Sequence, residues 1–342
     1  MKEDPYHIEE VVKNKIWKVQ YSSEYTFFTT PSGKQGAAIL GIDPHSSEFK
    51  EKMEYGAAKY SKKALDLVSQ DLETAQYWFS KDSIADEDVF KIPAWKLNMM
   101  VVRLNSGSLL LYAPVRILDE TGLASWLDKL GQVEWVIIAS SEHNASIPSV
   151  LKRYPAAKVI GSKVSEEKLN CINALPRKVF DYKCSDKKSL ESANQLLRGN
   201  GVELFYISGD IATHSVFCMA HGVGLECDLV YGRAGQYDEV PEDWTDRIFL
   251  YGLIASSHNG LLPNYRIWFM DPNSLGFMMV TPPDSEGLVC REMAASLRKI
   301  LSLDYDRVIP VHGPPMDSVI FRKSIDQSWN WLDGSSLLPN LN

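Results

Sequence analysis

The N-terminal part of the chain has the pattern of apolar and polar positions that is typical of paired strands. Residues 8–30, IEEVVKNKIWKVQYSSEYTFFTT, are rich in β-branched and aromatic residues and predict two strands. Two further apolar runs, NMMVVRL and SLLLYAPV, flank an Asn-Ser-Gly sequence, which predicts a hairpin. Between these regions, residues 46–92 are charged and have apolar residues at helical spacing. We therefore expect a helical insertion at 46–92 in a β-rich first half.

The second half of the chain alternates between strand-like and helix-like patterns. An apolar run, VEWVIIA, precedes a polar loop, a helix in IPSVLKRYP and a strand in AKVIGS. Three more strands are predicted in VELFYISG, HSVFCMAH and GLECDLVYG, and a last one in DRVIPVHGPP. Helices are predicted in DWTDRIFLYGLIASSHNGL and EGLVCREMAASLRKILSL. The order predicts an α/β protein with two sheets sandwiched between helices (αββα), in a single domain over residues 1–342.

The net charge and the composition of the chain indicate which classes of binding partner to expect. The 342-residue chain has a formal net charge of −8, so no general attraction to nucleic acid or to an anionic membrane is expected. It has no uninterrupted apolar run long enough to cross a bilayer, and the charged start MKEDPYHIEE is unlike a signal peptide. Five scattered cysteines are typical of buried, reduced thiols. We expect a cytoplasmic protein that acts on a small-molecule substrate.

Candidate chemistry lies at three points that each follow an apolar strand. Glu142 and His143 follow VEWVIIA, Asp228 lies within GLECDLVYG, and His312 follows DRVIPV. Loops at the carboxyl ends of strands often hold ligands in folds of this class. Two imidazoles and two carboxylates suit one Zn²⁺ or Fe²⁺ ion. Each residue alone also has an ordinary explanation, as a surface acid, a strand-end acid or a hydrogen-bonded histidine.

The segment VIIASSEHNASIPSVLKRYPAAKVIGS resembles the metal-loop segment of the metallo-β-lactamase fold. In that superfamily a strand leads into a His-x-His-x-Asp-His loop, followed by a helix and a strand. GLECDLVYG and DYDRVIPVHGPP resemble the strand with the bridging aspartate and the closing histidine loop. The resemblance covers roughly residues 8–40 and 96–330. It implies an αββα fold and a metal site at Glu142, His143, Asp228 and His312.

The chain also departs from that pattern. The His-x-His pair falls on Ile138 and Ser140, so the resemblance implies that a first metal site is lost. The family's third histidine falls on Asp210, with His214 as a less well-phased candidate. Either residue is then a candidate proton acceptor in the vacated first site.

Three functions remain open from the sequence. The first is a mononuclear metal-dependent hydrolase of an ester, thioester or amide. The second is a binding or scaffold protein that keeps the fold without the chemistry, which the lost His-x-His pair favours. The third, a non-hydrolytic iron site as in flavodiiron-like relatives, is disfavoured because no flavodoxin-like domain follows. A separate histidine, His221, is expected to be a solvated residue in a hairpin turn.

Overall fold

The computed structural model describes the chain in several ranges. These are residues 6–28, 89–117, 122–141, 143, 146–171, 180–210, 213–227, 229, 231–232, 264–265, 286–329, 332 and 334–338. Two predicted metal ligands, Glu142 and Asp228, lie outside the described residues, as does the helix predicted over 243–261.

The first sheet has seven strands in the order β1-β2-β3-β4-β5-β6-β7. They are β1 (Tyr6–Val12), β2 (Ile16–Phe28), β3 (Val89–Arg103), β4 (Leu109–Tyr112), β5 (Val133–Ile137), β6 (Lys158–Gly161) and β7 (Tyr182–Lys183). Strands β1 to β4 are antiparallel, and β4 to β7 are parallel. The parallel part places the loop after β5 at the same edge of the sheet as the loops after β4 and β6.

The predicted helical insertion over 46–92 is wrong at its C-terminal end. Residues 89–92 belong to β3, which pairs with β2 from Phe28↔Val89 to Ile16↔Val102. The remainder of the insertion, residues 46–88, lies outside the described residues. Pairing with a strand more than sixty positions earlier in the chain overrides the local helical spacing at these four positions.

The second sheet has five strands in the order β14-β13-β10-β9-β8. They are β8 (Val202–Tyr206), β9 (Val216–Ala220), β10 (Val223–Glu226), β13 (Arg307–Pro310) and β14 (Met316–Asp317). Strands β10 and β13 are parallel neighbours, and the other pairs are antiparallel. Two short strands, β11 (Tyr231–Gly232) and β12 (Asn264–Tyr265), form a separate pair.

Six helices are seen in the described part of the chain. They are α1 (Gly122–Leu130), α2 (Ile147–Arg153), α3 (Lys163–Cys171), α4 (Lys187–Arg198), α5 (Glu286–Leu301) and α6 (Ser318–Trp329). Helices α2 and α5 lie where the sequence predicted them. Helices α3, α4 and α6 were not predicted.

The layer order follows from which side chains cross between elements. On one face of the first sheet, Trp17 packs edge-on against Trp126 of α1, with ring centroids 6.0 Å apart. On the opposite face, the Tyr112 hydroxyl donates to the carbonyl of Val216 in the second sheet at 2.5 Å. The far face of the second sheet packs on α5 and α6, where Phe217 stacks on Phe321. The chain is therefore an αββα sandwich, and the predicted fold class is confirmed.

The interior of the sandwich is apolar on both sides of the second sheet. Leu204 and Cys218 face the core around the first sheet, and their neighbours Phe205 and Phe217 face the core around α5 and α6. This two-residue alternation is that of a strand buried on both faces. Cys184, Cys218, Cys227 and Cys290 are all buried, as expected. Within the described part of the chain, no helix combines the length and apolar character needed to cross a bilayer.

Candidate metal centre

Two of the predicted ligands, His143 and His312, lie against each other. Their Nε2 atoms are 3.2 Å apart. The ring centroids are 5.0 Å apart, and the ring planes are inclined by 51°. His312 is almost fully buried, at 1% exposure, whereas His143 is partly exposed. The loops after β5 and β13 thus bring together two imidazoles that lie 169 positions apart in the sequence.

The loop after β5, which carries His143, begins with buried residues, two of which are serines. Ile138 is 1% exposed, and its N–H donates to the carbonyl of Ile160 at 2.8 Å. Ser140 and Ser141 are also buried, and the Ser141 N–H donates to the carbonyl of Thr213 at 2.6 Å. Ile138 therefore faces the core, as expected of a residue that cannot bind a metal. The backbone at Ser141 fixes the loop two residues before His143.

His312 lies two residues after Pro310, the last residue of strand β13. The Val311 N–H donates to the carbonyl of Glu226 at 3.0 Å, which continues the β10–β13 pairing by one step. Glu226 is fully buried, and its Oε2 accepts from the Leu229 N–H at 3.0 Å. This buried glutamate, next to Cys227 at the carboxyl end of β10, was not singled out from the sequence. Its hydrogen bond fixes the backbone N–H of Leu229, the residue that follows the predicted ligand Asp228 in the sequence.

A complete ligand set is not visible in the described residues. No group of three or more His, Cys, Asp or Glu side chains that could hold a metal is found among them. Glu142 and Asp228, which the sequence predicts as the carboxylate ligands, lie outside those residues. The two imidazoles are thus the part of the predicted site whose geometry is known.

Asp210 organises its own loop. The carboxylate is 1% exposed and accepts three hydrogen bonds. Its Oδ1 accepts from the Thr213 N–H at 3.0 Å, and its Oδ2 accepts from the Thr213 hydroxyl at 2.6 Å and from the Ser215 N–H at 2.7 Å. Because the carbonyl of Thr213 in turn binds the Ser141 N–H, the Asp210 loop supports the loop that carries His143. This is the environment of a structural carboxylate.

His214 contacts the partly buried phenol of Tyr206. Its Nδ1 is 3.0 Å from the hydroxyl of Tyr206, and burial raises the pKa of that phenol. The Tyr206 hydroxyl therefore stays protonated. When the Nδ1–H of His214 donates to the phenol oxygen, Nε2 is the nitrogen that can accept a proton. His214 also has a positive φ of 51°, which is uncommon for a residue other than glycine.

A small apolar cleft adjoins His143. It has a volume of about 10 Å³, enough for about one water molecule. Its lining residues are Leu97, Ala113, Pro114, Val115, His143, Ser146 and Val311.

His221 lies at the opposite end of β10, in the turn that joins β9 to β10. It is not a solvated turn residue as expected, because its Nε2 is 2.8 Å from the carbonyl of Arg103 and the ring is partly buried. It borders a cleft of about 480 Å³, which is also lined by Lys13, Asp304 and Arg307. Burial lowers the pKa of His221, the hydrogen bond that the ring donates to the Arg103 carbonyl raises this pKa, and nearby Lys15 lowers it further.

The lowered pKa of His221 predicts a loss of stability in acid. The folded protein binds fewer protons at this site than the unfolded chain, whose histidine pKa is about 6.5. This contribution to stability is present above that pH and is lost as the pH falls through the lower folded value. We expect His221→Asn, which tolerates the positive φ of 48°, to flatten the pH dependence of the unfolding free energy between pH 7 and pH 5. Urea unfolding across that range tests this, with the exposed His7→Asn as the control. Equal slopes for His221→Asn and the wild type would contradict it.

Comparisons with known proteins give only remote likenesses. No protein-family model and no curated protein matches the chain. Among solved structures, the chain is similar to a metallo-β-lactamase from Erythrobacter litoralis with β-mercaptoethanol in its active site, at 11% identity and a TM-score of 0.47, covering 98% of this chain and 99% of that chain. It is similar to a metallo-β-lactamase from Hirschia baltica at 9% identity and a TM-score of 0.48, covering 98% of this chain and 100% of that chain. Likenesses at this level carry no inference about the chemistry of this chain.

Proposed function

We propose that the protein is a mononuclear metal-dependent hydrolase of an ester, thioester or amide. One Zn²⁺ or Fe²⁺ ion would be held by His143 and His312, with Glu142 and Asp228 as the carboxylate ligands. The observation that supports this proposal is the 3.2 Å separation of the two Nε2 atoms. A cation with such ligands acts as a Lewis acid and lowers the pKa of a water molecule.

The separation of the imidazole nitrogens fits ligands of a shared ion. Two nitrogens that each lie about 2.0–2.1 Å from a tetrahedral zinc are about 3.3 Å apart. The donor chemistry also fits, because neutral imidazole is a common ligand of both Zn²⁺ and Fe²⁺. Burial of His312 beside a partly exposed His143 gives the pair one side that faces the protein and one that faces solvent. A substrate would approach from the side of His143.

The neighbouring side chains have separate tasks in this proposal. In the tautomer whose Nδ1–H donates to Tyr206, His214 would accept a proton at Nε2. Asp210 would not accept that proton, because its carboxylate is occupied by three donors from its own loop. The Asp210 loop would instead position the backbone before His143 through the Thr213–Ser141 hydrogen bond.

A scaffold protein without chemistry is the second candidate. It is favoured by the environment of two positions that the resemblance assigns to a first metal. Ile138 is buried in the core, and the Asp210 carboxylate is used within its loop. The two candidates differ in whether a metal binds and whether a bound metal leads to turnover.

Metal stoichiometry tests the proposed site. Untagged protein expressed with added zinc and iron, and purified without chelators, is expected to carry near one metal per chain by elemental mass spectrometry. His143→Ala and His312→Ala are expected to lose it, because each removes one of the two imidazole ligands. His7→Ala is the matched control, since His7 is an exposed histidine on β1, the edge strand of the first sheet. Metal-free wild-type protein, or His312→Ala with full occupancy, would overturn the proposed site.

Turnover separates the hydrolase from the scaffold. Metal-loaded wild-type protein is expected to hydrolyse at least one member of a panel of chromogenic esters, thioesters and amides, and His312→Ala is expected to be inactive. His214→Asn, which tolerates the positive φ, is expected to keep the metal and lose about a hundredfold or more in rate, the lower end of the range for a general base. Metal binding without turnover of any substrate would favour the scaffold.

A further inference from the structure

Asn98 is a polar residue buried in the apolar strand β3. It is 0% exposed, and its neighbours Leu97 and Met99 belong to the core. Strand β4 ends at Tyr112, whose partner is Met100, so the backbone of Asn98 lies just past the β3–β4 ladder. Its side-chain Nδ2 and its backbone N–H reach the end of β13 and the segment after it. A buried amide in such a position is costly unless its hydrogen bonds are satisfied.

Three hydrogen-bond partners of Asn98 lie close to His312 in the sequence. Its side-chain Nδ2 donates to the carbonyl of Pro310 at 2.9 Å and to the carbonyl of Gly313 at 2.6 Å. Its backbone N–H donates to the carbonyl of Val311 at 2.8 Å. Three of the carbonyls around His312 are thus held by one residue of the other sheet.

The opposite side of the same segment is held as well. The Val311 N–H donates to the carbonyl of Glu226, so the backbone before His312 is fixed between β3 and β10. Gly313 has a φ of 101°, which directs its carbonyl back to Asn98 and which a residue with a side chain would adopt at a cost. The orientation of the Asn98 amide is set by Gln20, whose Nε2 is 3.4 Å from Oδ1.

We propose that Asn98 is a positioning residue, which holds His312 at the place where its imidazole meets that of His143. The observation is the juxtaposition of one buried amide with the carbonyls on both sides of His312, together with the 3.2 Å contact between the imidazoles. The placement of the ring is independent of any metal. Its consequence for metal affinity rests on the proposed function.

Substitutions at Asn98 can be matched by a second buried asparagine. Asn98→Leu keeps the branched shape of the side chain and removes its three side-chain hydrogen bonds. Asn194, on α4, is 4% exposed and also makes two hydrogen bonds with backbone, to Leu204 N–H and carbonyl at 2.8 and 2.9 Å. Asn194→Leu is therefore the control for loss of a buried amide away from the imidazole pair. Asn98→Ser keeps one hydroxyl donor and serves if Asn98→Leu fails to fold.

The first readout uses metal-free protein. In wild-type protein with labelled histidines, nuclear Overhauser effects are expected between the rings of His143 and His312, whose centroids are 5.0 Å apart. Asn98→Leu, or Asn98→Ser in its place, is expected to weaken or abolish them, whereas Asn194→Leu leaves them unchanged. If the Asn98 variants keep the ring contacts at wild-type intensity, the positioning role is refuted and Asn98 is only a stabilising contact.

The second readout is metal affinity. The dissociation constant of Zn²⁺ or Co²⁺ is expected to rise by about tenfold to a hundredfold in the Asn98 variants, the range seen when groups that orient metal ligands are removed. Asn194→Leu is expected to bind as the wild type does. Wild-type protein that shows the ring contacts and binds no metal would overturn the proposed function and leave the positioning role supported. Normal affinity in a folded Asn98→Leu protein would overturn the role in the metal site.

Discussion

Replacement of Asp210 by alanine is expected to lower the free energy of unfolding by about 4 kcal/mol, because two buried backbone N–H groups lose their acceptor. The N–H groups of Thr213 and Ser215 both point at the Asp210 carboxylate, and both residues are buried, at 0% and 1% exposure. Alanine offers no acceptor to either N–H group. The loss is expected to reach the His143 loop, since the Thr213 carbonyl binds the Ser141 N–H.

Urea unfolding of Asp210→Ala, followed by circular dichroism, measures this effect. Asp186→Ala is the control, because Asp186 is an exposed acid that accepts a single hydrogen bond, from the Ser189 N–H, as the N-cap of α4. Loss of such a cap costs about 1 kcal/mol. If Asp210 were instead a proton acceptor in an open site, the free energy of unfolding of the alanine variant would lie within about 0.5 kcal/mol of the wild-type value. Only its turnover would be lost.

The parts of the site that the sequence predicts are those set by local patterns. VEWVIIA and DRVIPV are apolar runs followed at once by polar loops, and an apolar run of that length between turn signals predicts a buried strand. The structure has β5 and β13 at these places. Because strand ends in one sandwich meet at one edge, the proximity of His143 and His312 was predictable once the strands were assigned.

The residues that hold the two imidazoles in place were not predictable in this way. Asn98 stands alone in an apolar run, and its side-chain partners lie 212 and 215 positions further along the chain. No local period distinguishes a buried amide that bridges two sheets from a tolerated polar residue in a strand. The same holds for Asp210, whose three donors are near in sequence but whose burial depends on packing against the loop after β5.

The unpredicted helices have a physical explanation of the same kind. Helix α4, KKSLESANQLLR, buries only Ala193, Asn194 and Leu197, so its apolar signal is short. One of those three positions is an asparagine, which counts as polar in any pattern and is satisfied here by the backbone of β8. Helix formation at this place depends on the Asp186 cap and on tertiary packing more than on a broad apolar stripe.

Replacement of Gly209 by alanine is the second change with a large expected effect on stability. Gly209 lies in the turn after β8, directly before Asp210, and has a φ of 86°. A Cβ at this position would lie 2.4 Å from the carbonyl oxygen of Val289 and 2.5 Å from the backbone nitrogen of Met293. Both atoms belong to the backbone of α5, so no side-chain rotation relieves the overlap. The turn and the helix must separate, although Ser208 also binds Glu292 across the same contact at 3.1 Å.

We expect Gly209→Ala to lower the free energy of unfolding by about 4 kcal/mol, of which about 1–2 kcal/mol is the cost of the positive φ and the rest is overpacking against α5. Gly334→Ala separates the two terms, because Gly334 has a φ of 71° and a Cβ there would meet nothing within 4 Å. In the same urea titration, Gly334→Ala is expected to lower the free energy of unfolding by only about 1–2 kcal/mol, the cost of the positive φ. Equal losses for the two variants would mean that α5 moves aside freely, and that close packing of the helix on this turn does not fix the position of the Asp210 loop.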